Sequence, residues 1–574
     1  MCSCLDRFPS GVTEYDVVSV EPSSSAVSSE PAGRLKLTGV DVRRFPWIRP
    51  LAGAYANNFP IVQDLYAGNP ADPEAWRQAV QRAQQHPRDR GQLVRLLQAQ
   101  QEHRGAPEAC RVAAARLQDA ASVAVVTGQQ AGLFGGPLYT LLKALTALQL
   151  ARRTERELNV PAVAIFWVEA EDHDWEEVRS CTVLDAEFQP RTVTLADLEG
   201  AGELPVAKLQ VDARVEQTID ELAAILQPTE FTPAIIDSLR NAWKPGRGFA
   251  CAFATWIETL LGPHGLVVFE SADPAAKPLV KDVFVRELSA PGRTAALATE
   301  AGEALAARGH APQVTTQDDS VSLFSLDPVR KQIRRHGERL AIGDDEFAAE
   351  DLAKKAAAQP GAFSPNVLTR PIVQDVLFPT ICYVAGPSEL AYLGQLRRVY
   401  DHFGVPMPLM FSRATATLLD SGATRFLSKY GVPFEDLRTP DESALNRLLE
   451  TQLPESVEQS LRDASSATSA AMARVIKALP ALDPTLEGAA RTTLGKMEHE
   501  LRSLHQKVIH AAKKRHDTLR RQFMRAQAQA FPQGHPQERE LAVIYFLNKY
   551  GPGLVDLLFE ELPIDLGHHW LITL

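Results

Sequence analysis

The chain has 574 residues, 45% of them apolar and 23% charged, with a formal charge of −11. That length implies three or four domains or subdomains and an ample core, and the composition excludes a wholly disordered chain. The acidic total disfavours nucleic acid as the main partner, although local basic patches stay open. Six cysteines without a CxxC pair are too few for a disulfide scaffold and fit a reducing compartment. No apolar run reaches the ~18 residues of a membrane span. The N-terminus lacks the apolar segment of a secretory signal. Together these features predict a cytoplasmic chain with no membrane partner.

Residues 1–44 are polar and Ser/Pro-rich (EPSSSAVSSEP at Glu21–Pro31) and read as a flexible tail that carries Cys2 and Cys4. Phe45 to Ala120 is mostly helical in pattern. Ser122–Thr127 (SVAVVT) and Pro161–Val168 (PAVAIFWV) read as buried strands flanking a helix over Pro137–Arg153, a βαβ unit that implies a parallel sheet. Cys181–Asp212 reads as a small β-rich insertion, Leu266–Glu270 as a core strand, and Val314–Ile342 as exposed strands and turns. Pro371–Met410 gives strand, Gly-Pro turn, helix and strand. The fold class is therefore α/β: a doubly wound parallel-sheet core over 45–420, interrupted by insertions near 180–250 and 305–365.

The region 421–574 is helical. Apolar residues from Val457 to Leu479, and again from Leu494 to Ala511, keep heptad spacing and predict two paired coiled-coil helices. Pro480 and Pro484 bracket the turn, with Asp483 as N-cap. A phase slip is expected between Ala511 and Leu519. The second helix outruns the first, so a second subunit is one candidate partner. Pro532–Leu574 is expected to fold back on the core as short helices.

Four constellations carry candidate chemistry. TGQQAGLFGGPLYT (Thr127–Thr140) sits between strand and helix. Gly135 and Gly136 allow close approach there, Pro137 would leave the amides of Leu138 and Tyr139 facing outward, and Gln129 and Gln130 add two amides that a turn does not need. The bland alternative is a tight turn. FWVEAEDHDWEEV (Phe166–Val178) crowds Glu169, Glu171, Asp172, His173 and Asp174 at a strand end. Alternation would put Glu169, Glu171 and His173 on one side and Asp172 and Asp174 on the other. General base, amine recognition and a metal–nucleotide anchor stay open beside a solvated acidic loop. A zinc site is disfavoured because His173 has no Cys or His partner nearby, and no metal is assigned. In YVAGPSELAYLGQL and PLMFSRATATLL, Ser388 is a natural N-cap, Glu389 and Tyr392 face one cleft, and Arg413 is the best cation for a phosphate or carboxylate. Dipole compensation and a surface ion pair are their plainer readings. The basic run from His505 to Arg521 is a solvated helix face or an anion or nucleotide site at the coiled-coil base.

TGQQAGLFGGPLYT, FWVEAEDHD, RPIVQDVLFPT (Arg370–Thr380), GPSELAY and the PQERELAVIYFLNKYG tail from Pro536, in that order, resemble the bacillithiol-biosynthesis cysteine-adding enzymes, the BshC family. Gly135 stands where that family often has threonine, and Ser388 where glycine is common. The resemblance implies a Rossmann-like core with two connecting insertions, a C-terminal coiled coil and a homodimer. It implies a ligase that adds L-cysteine to the glucosamine amine of glucosaminyl-malate, with an adenine nucleotide (ATP or ADP) as the suspected cofactor. Joined to the residue reading, Gln129, Gln130, Gly135 and Gly136 would position a carboxylate or phosphate, with Tyr139 beside them. Asp172, His173 and Asp174 would bind the cysteine ammonium or deprotonate the sugar amine. Glu389, Tyr392 and Arg413 would close the other wall, with Arg413 holding malate or phosphate. The competing readings are a ligase of another amino acid and amine, and a non-catalytic metabolite-binding coiled-coil protein.

Overall fold

The computed structural model describes residues 35–574, save 46–47, 327–329, 439–440, 453–454 and 516. The Ser/Pro-rich stretch with Cys2 and Cys4 lies outside the described residues, as do the side chains at 455, 510 and 512–516. Residues 36–41 are not tail. They form strand β1 (Lys36–Asp41), which pairs antiparallel with the last strand of the chain, Lys36 opposite Thr573. Its partner lies more than 500 residues away, so no local signal announces it.

The sheet that positions the site begins with β2 (Val123–Gln130), the helix Leu138–Leu158 and β3 (Ala162–Glu169). The two strands run parallel, from Val123 opposite Ala162 to Gln130 opposite Glu169. Their unbroken apolar runs reflect burial on both faces. Val123 and Val125 enter one core, while Ala124 and Val126 enter the other.

The first insertion opens with a hairpin, β4 (Ser180–Leu184) and β5 (Pro190–Thr194). The expected second half of that β-rich stretch is instead a short 3₁₀ turn, Val206–Lys208. Its amides are used elsewhere: Val206 N–H donates to the Asp172 carbonyl at 2.8 Å and Ala207 N–H to the Ala170 carbonyl at 2.9 Å. Strand β6 (Val267–Glu270) then joins the outer side of β3.

The second insertion holds β7 (Ser320–Ser325), β8 (Lys331–His336), β9 (Arg339–Ile342), β10 (Asp345–Ala348) and β11 (Phe363–Pro365), an antiparallel sheet in the order β10-β9-β8-β7-β11. Strand β7 was expected to be exposed and is buried. Val321 and Leu323 join the core, and Ser322 N–H donates to Glu287 Oε1 at 2.8 Å on the covering helix Lys277–Ser289.

Strand β12 (Thr380–Ala385) pairs with β2, and β13 (Leu409–Ser412) with β12. The parallel sheet therefore has the order β13-β12-β2-β3-β6. From β2 the chain winds outward through β3 and β6, then returns to build β12 and β13 on the other side. That reversal opens a crevice at the carboxyl ends of β2 and β12.

Strand β14 (Thr415–Leu419) leads into the helical region. Helices Glu455–Ala478 and Leu486–Arg515 run antiparallel, with Ser469 Oγ donating to Glu498 Oε1 at 3.2 Å and His505 Nε2 lying 3.4 Å from Glu458. The stretch from Ala511 to Leu519, where the phase slip is expected, includes position 516, outside the described residues, and a helix Asp517–Ala530 follows. The tail gives short helices at Gln537–Glu540, Val543–Tyr550 and Leu554–Glu561, but it ends in a strand, β15 (His568–Thr573), which lies between β1 and β14. No described helix is long and apolar enough to cross a membrane.

Candidate active site

Successive residues of a strand face opposite sides, so Gln129 and Gln130 at the end of β2 serve two halves of one rim. Gln130 Nε2 donates to Asp172 Oδ2 and to Glu177 Oε2, both at 3.0 Å. Gln129 Nε2 donates to Tyr139 Oη at 3.1 Å, and its Oε1 accepts from Lys143 Nζ at 3.3 Å. The glutamine bend and the acid motif thus meet directly.

The loop between β2 and its helix is strained. Phe134 is held at φ +55° by burial against Trp243, with ring centroids 5.5 Å apart. Gly135 and Gly136 have φ of +99° and +69°, a region that side chains other than glycine rarely adopt. A Cβ at Gly135 would lie 2.8 Å from the Trp256 indole. The Trp256 indole fills the space that a side chain at position 135 would need.

The helix start does not face outward as expected. Leu138 N–H donates to the Leu541 carbonyl at 2.8 Å and Val543 N–H to the Gly136 carbonyl at 3.2 Å, so the C-terminal tail covers it. The cationic element lies one turn further along the helix. Lys143, 3% exposed, donates to the Gly128 carbonyl at 2.8 Å and pairs with Glu389 Oε2 at 2.5 Å.

Glu389 folds back onto the Gly386 amide (2.5 Å) and accepts from Tyr383 Oη at 3.2 Å, whereas Ser388 makes no side-chain cap bond. Burial pushes the Glu389 carboxyl up, but Lys143, the Gly386 amide and Arg370 outweigh it and hold the group below its usual range. Arg370 donates to Tyr392 Oη at 2.8 Å and lies 4.0 Å from Glu169 Oε2. Hydrogen bonds and an ion pair thus run from Tyr139 through Gln129 and Lys143 to Glu389, which sits in the field of Arg370, itself reaching Tyr392 and Glu169.

The acid motif does not alternate, because β3 ends at Glu169. Glu171 turns inward and forms a buried ion pair with Lys277. Glu169 accepts from Trp167 Nε1 at 3.0 Å and from the Glu171 amide at 3.1 Å. Asp172 is half-buried, with Oδ1 unpartnered, and its carboxyl is pushed up to about 6, first by burial and then by Glu169. His173 and Asp174 are exposed. Of the three residues expected to act together, Asp172 alone is turned inward.

Arg413 does not offer a free cationic face. It is 3% exposed and clamps Glu538 bidentately at 2.7 and 2.9 Å, with a further bond to the Ala414 carbonyl at 2.9 Å. Glu538 also accepts from Ala416 N–H at 3.1 Å, so the pair ties the tail beneath β14. Arg413 still lies over the Tyr139 ring, 5.5 Å from its centroid. Lys143 and Arg370 take the cationic places that sequence reasoning gave to Arg413. A lone lysine inside the apolar run LYTLLKALTAL was the available signal for Lys143. Among the described residues no group of His, Cys, Asp and Glu is arranged to hold a metal ion.

A parallel sheet with a reversal of strand order and a charged network at its carboxyl rim define a Rossmann-like α/β enzyme core, here carrying a C-terminal helical hairpin. Residues 36–414 match the N-terminal Rossmann-like domain of bacillithiol biosynthesis BshC, and residues 416–574 match its C-terminal coiled-coil domain. A protein of Salinibacter ruber named "Putative cysteine ligase BshC" is 36% identical over 531 residues, 90% of this chain and 95% of its own. Proteins of the same name from Chlorobaculum tepidum (32% over 495 residues; 82% of this chain, 86% of theirs) and Geobacillus thermodenitrificans (30% over 515 residues; 87% and 93%) agree. The chain belongs to the BshC family.

Proposed function

We propose that the protein joins L-cysteine to the amine of glucosaminyl-malate, the last step of bacillithiol biosynthesis. The observation that carries this reading is the meeting of Gln130 and Asp172, 3.0 Å apart, at the rim where strand order reverses. Family membership supports the choice of substrates.

Amide formation needs an activated cysteine carboxyl, an acyl phosphate or adenylate, and an adenine nucleotide is the proposed activator. The sugar nitrogen attacks the carbonyl carbon. A C–N bond forms as the C–O bond to the phosphoryl leaving group breaks, and the amine proton passes to Asp172. A carboxylate titrating at about 6 is a better-matched general base near neutrality than an ordinary aspartate. Lys143 and Arg370 supply positive field for the carboxylate and the departing phosphoryl oxygens. Gln129 and Tyr139 orient the donor, Glu389 and Tyr392 hold the two cations in place, and His173 and Asp174 meet the substrate at the solvent edge.

In the described part of the basic run the His505 ring lies 3.4 Å from Glu458, and Arg520 faces Glu442 at 3.8 Å. Val457, Val475, Met497 and Leu504 are exposed along the hairpin, which supports a homodimer through the coiled coil as part of the same reading. A cytoplasmic location belongs to it as well. The test is incubation of the enzyme with L-cysteine, glucosaminyl-malate and ATP. A thiol with the summed mass of both substrates less one water is expected, and its absence from the complete mixture contradicts the assignment.

A further inference from the structure

Glu270 closes β6 and Ser271 follows it, so both stand at the carboxyl rim one strand beyond the acid motif. A cavity of about 310 Å³ opens there, lined by Gln100, Glu270, Ser271 and Asp273, with His103 at its edge and Ala170 on the side of the motif. In an open parallel sheet this rim is where ligands bind.

Its charge is negative. Among the described residues Arg104 is the one cation paired with the carboxylates of Glu258 and Glu270, donating to Glu258 at 2.7 and 2.9 Å and to Glu270 Oε1 at 2.6 Å. Asp273 adds a further carboxylate, whose oxygens accept from Gln100 Nε2 and the Ala275 amide, both at 2.9 Å. Among the described residues no hydrogen bond reaches Glu270 Oε2. The walls are pre-set, because Gln100 also accepts from the Glu270 amide at 2.9 Å and donates to the Glu270 carbonyl at 3.2 Å.

A second observation is independent of that charge. Ser271 is 4% exposed, and its Oγ has no hydrogen-bond partner. A buried hydroxyl left unpaired costs free energy, and such an orphan on a cavity wall marks a place for a ligand group.

We infer that this cavity binds the primary ammonium of a small polar molecule, with Glu270 and Asp273 as acceptors and the Ser271 hydroxyl as a further partner. The inference rests on the proposed reaction only for the source of the amine, an amino acid or an amino sugar.

Isothermal titration of the full chain with L-cysteine and with D-glucosamine separates the two sources, and 3-mercaptopropionate and D-glucose serve as controls without the amine. One amine should bind saturably while its control does not. Glu270→Gln and Ser271→Val should each weaken binding at least ~10-fold. Ser271→Val leaves the Arg104 pairs intact and decides the matter if Glu270→Gln fails to fold. The inference is overturned if neither amine binds, if the controls bind equally well, or if binding survives both cavity variants. A protein that binds the amine as described but makes no thiol keeps this inference and loses the proposed reaction.

Discussion

Asp172 Oδ2 accepts a hydrogen bond from Gln130 Nε2 at 3.0 Å while its other oxygen, Oδ1, is buried without a partner. The half-satisfied carboxylate sits beside Glu169, and burial and that neighbour together push it up to about 6. This one contact joins the end of β2 to the acid motif and gives the rim a group that titrates near the working pH.

Stability should record the strain. The folded value near 6 exceeds the ordinary value of 3.8, so the folded state holds an extra proton between those limits. The contribution of Asp172 is most favourable below about pH 4 and is lost as pH rises through 6. Asp172→Asn should therefore stabilise the protein at pH 8 by about 1–2 kcal/mol, a figure reduced for partial exposure, and hardly at all at pH 4. Urea midpoints at the two pH values check this.

The Lys143–Glu389 pair should behave as a buried unit. Removing one partner leaves an uncompensated charge, which costs about 3–5 kcal/mol. Lys143→Met and Glu389→Gln should each destabilise by that order, and the double variant should lose much less than the sum in a double-mutant cycle.

The glycine loop should refuse a threonine. Gly135→Thr combines a φ of +99° with a Cβ 2.8 Å from Trp256. A loss of at least about 2 kcal/mol is expected. Adding Trp256→Leu should relieve the clash but not the backbone strain, so thermal melting should show partial rescue.

Arginines 370 and 413 should separate cleanly. Arg370→Lys should lower kcat/KM for thiol formation about 10-fold, because the planar fork is lost. Arg413→Lys breaks the bidentate hold on Glu538 and should lower the melting temperature while leaving kcat/KM within about threefold. Steady-state kinetics beside melting curves decide.

The parallel core was legible because SVAVVT and PAVAIFWV are apolar without alternation, which only strands buried on both faces require. The meeting of Gln130 and Asp172 followed from both lying at carboxyl ends of adjacent strands. What stayed hidden was long-range. The face of each acid depended on where β3 stops, and the amides of Val206 and Ala207 pin the motif from over thirty residues away. The covered amide of Leu138 depended on Leu541, and the engagement of Arg413 depended on Glu538, 125 residues downstream. No local pattern encodes such pairings, because the partner of a buried charge is chosen by the fold.

The most direct test is the pH profile of thiol formation by wild type and Asp172→Asn, with L-cysteine, glucosaminyl-malate and ATP supplied. Wild-type kcat/KM should fall on the acid side with a midpoint near 6, and the variant should lose at least ~10²-fold and that limb with it. An Asp172→Asn enzyme that makes the thiol at the wild-type rate, with the acid limb unchanged, would contradict the account.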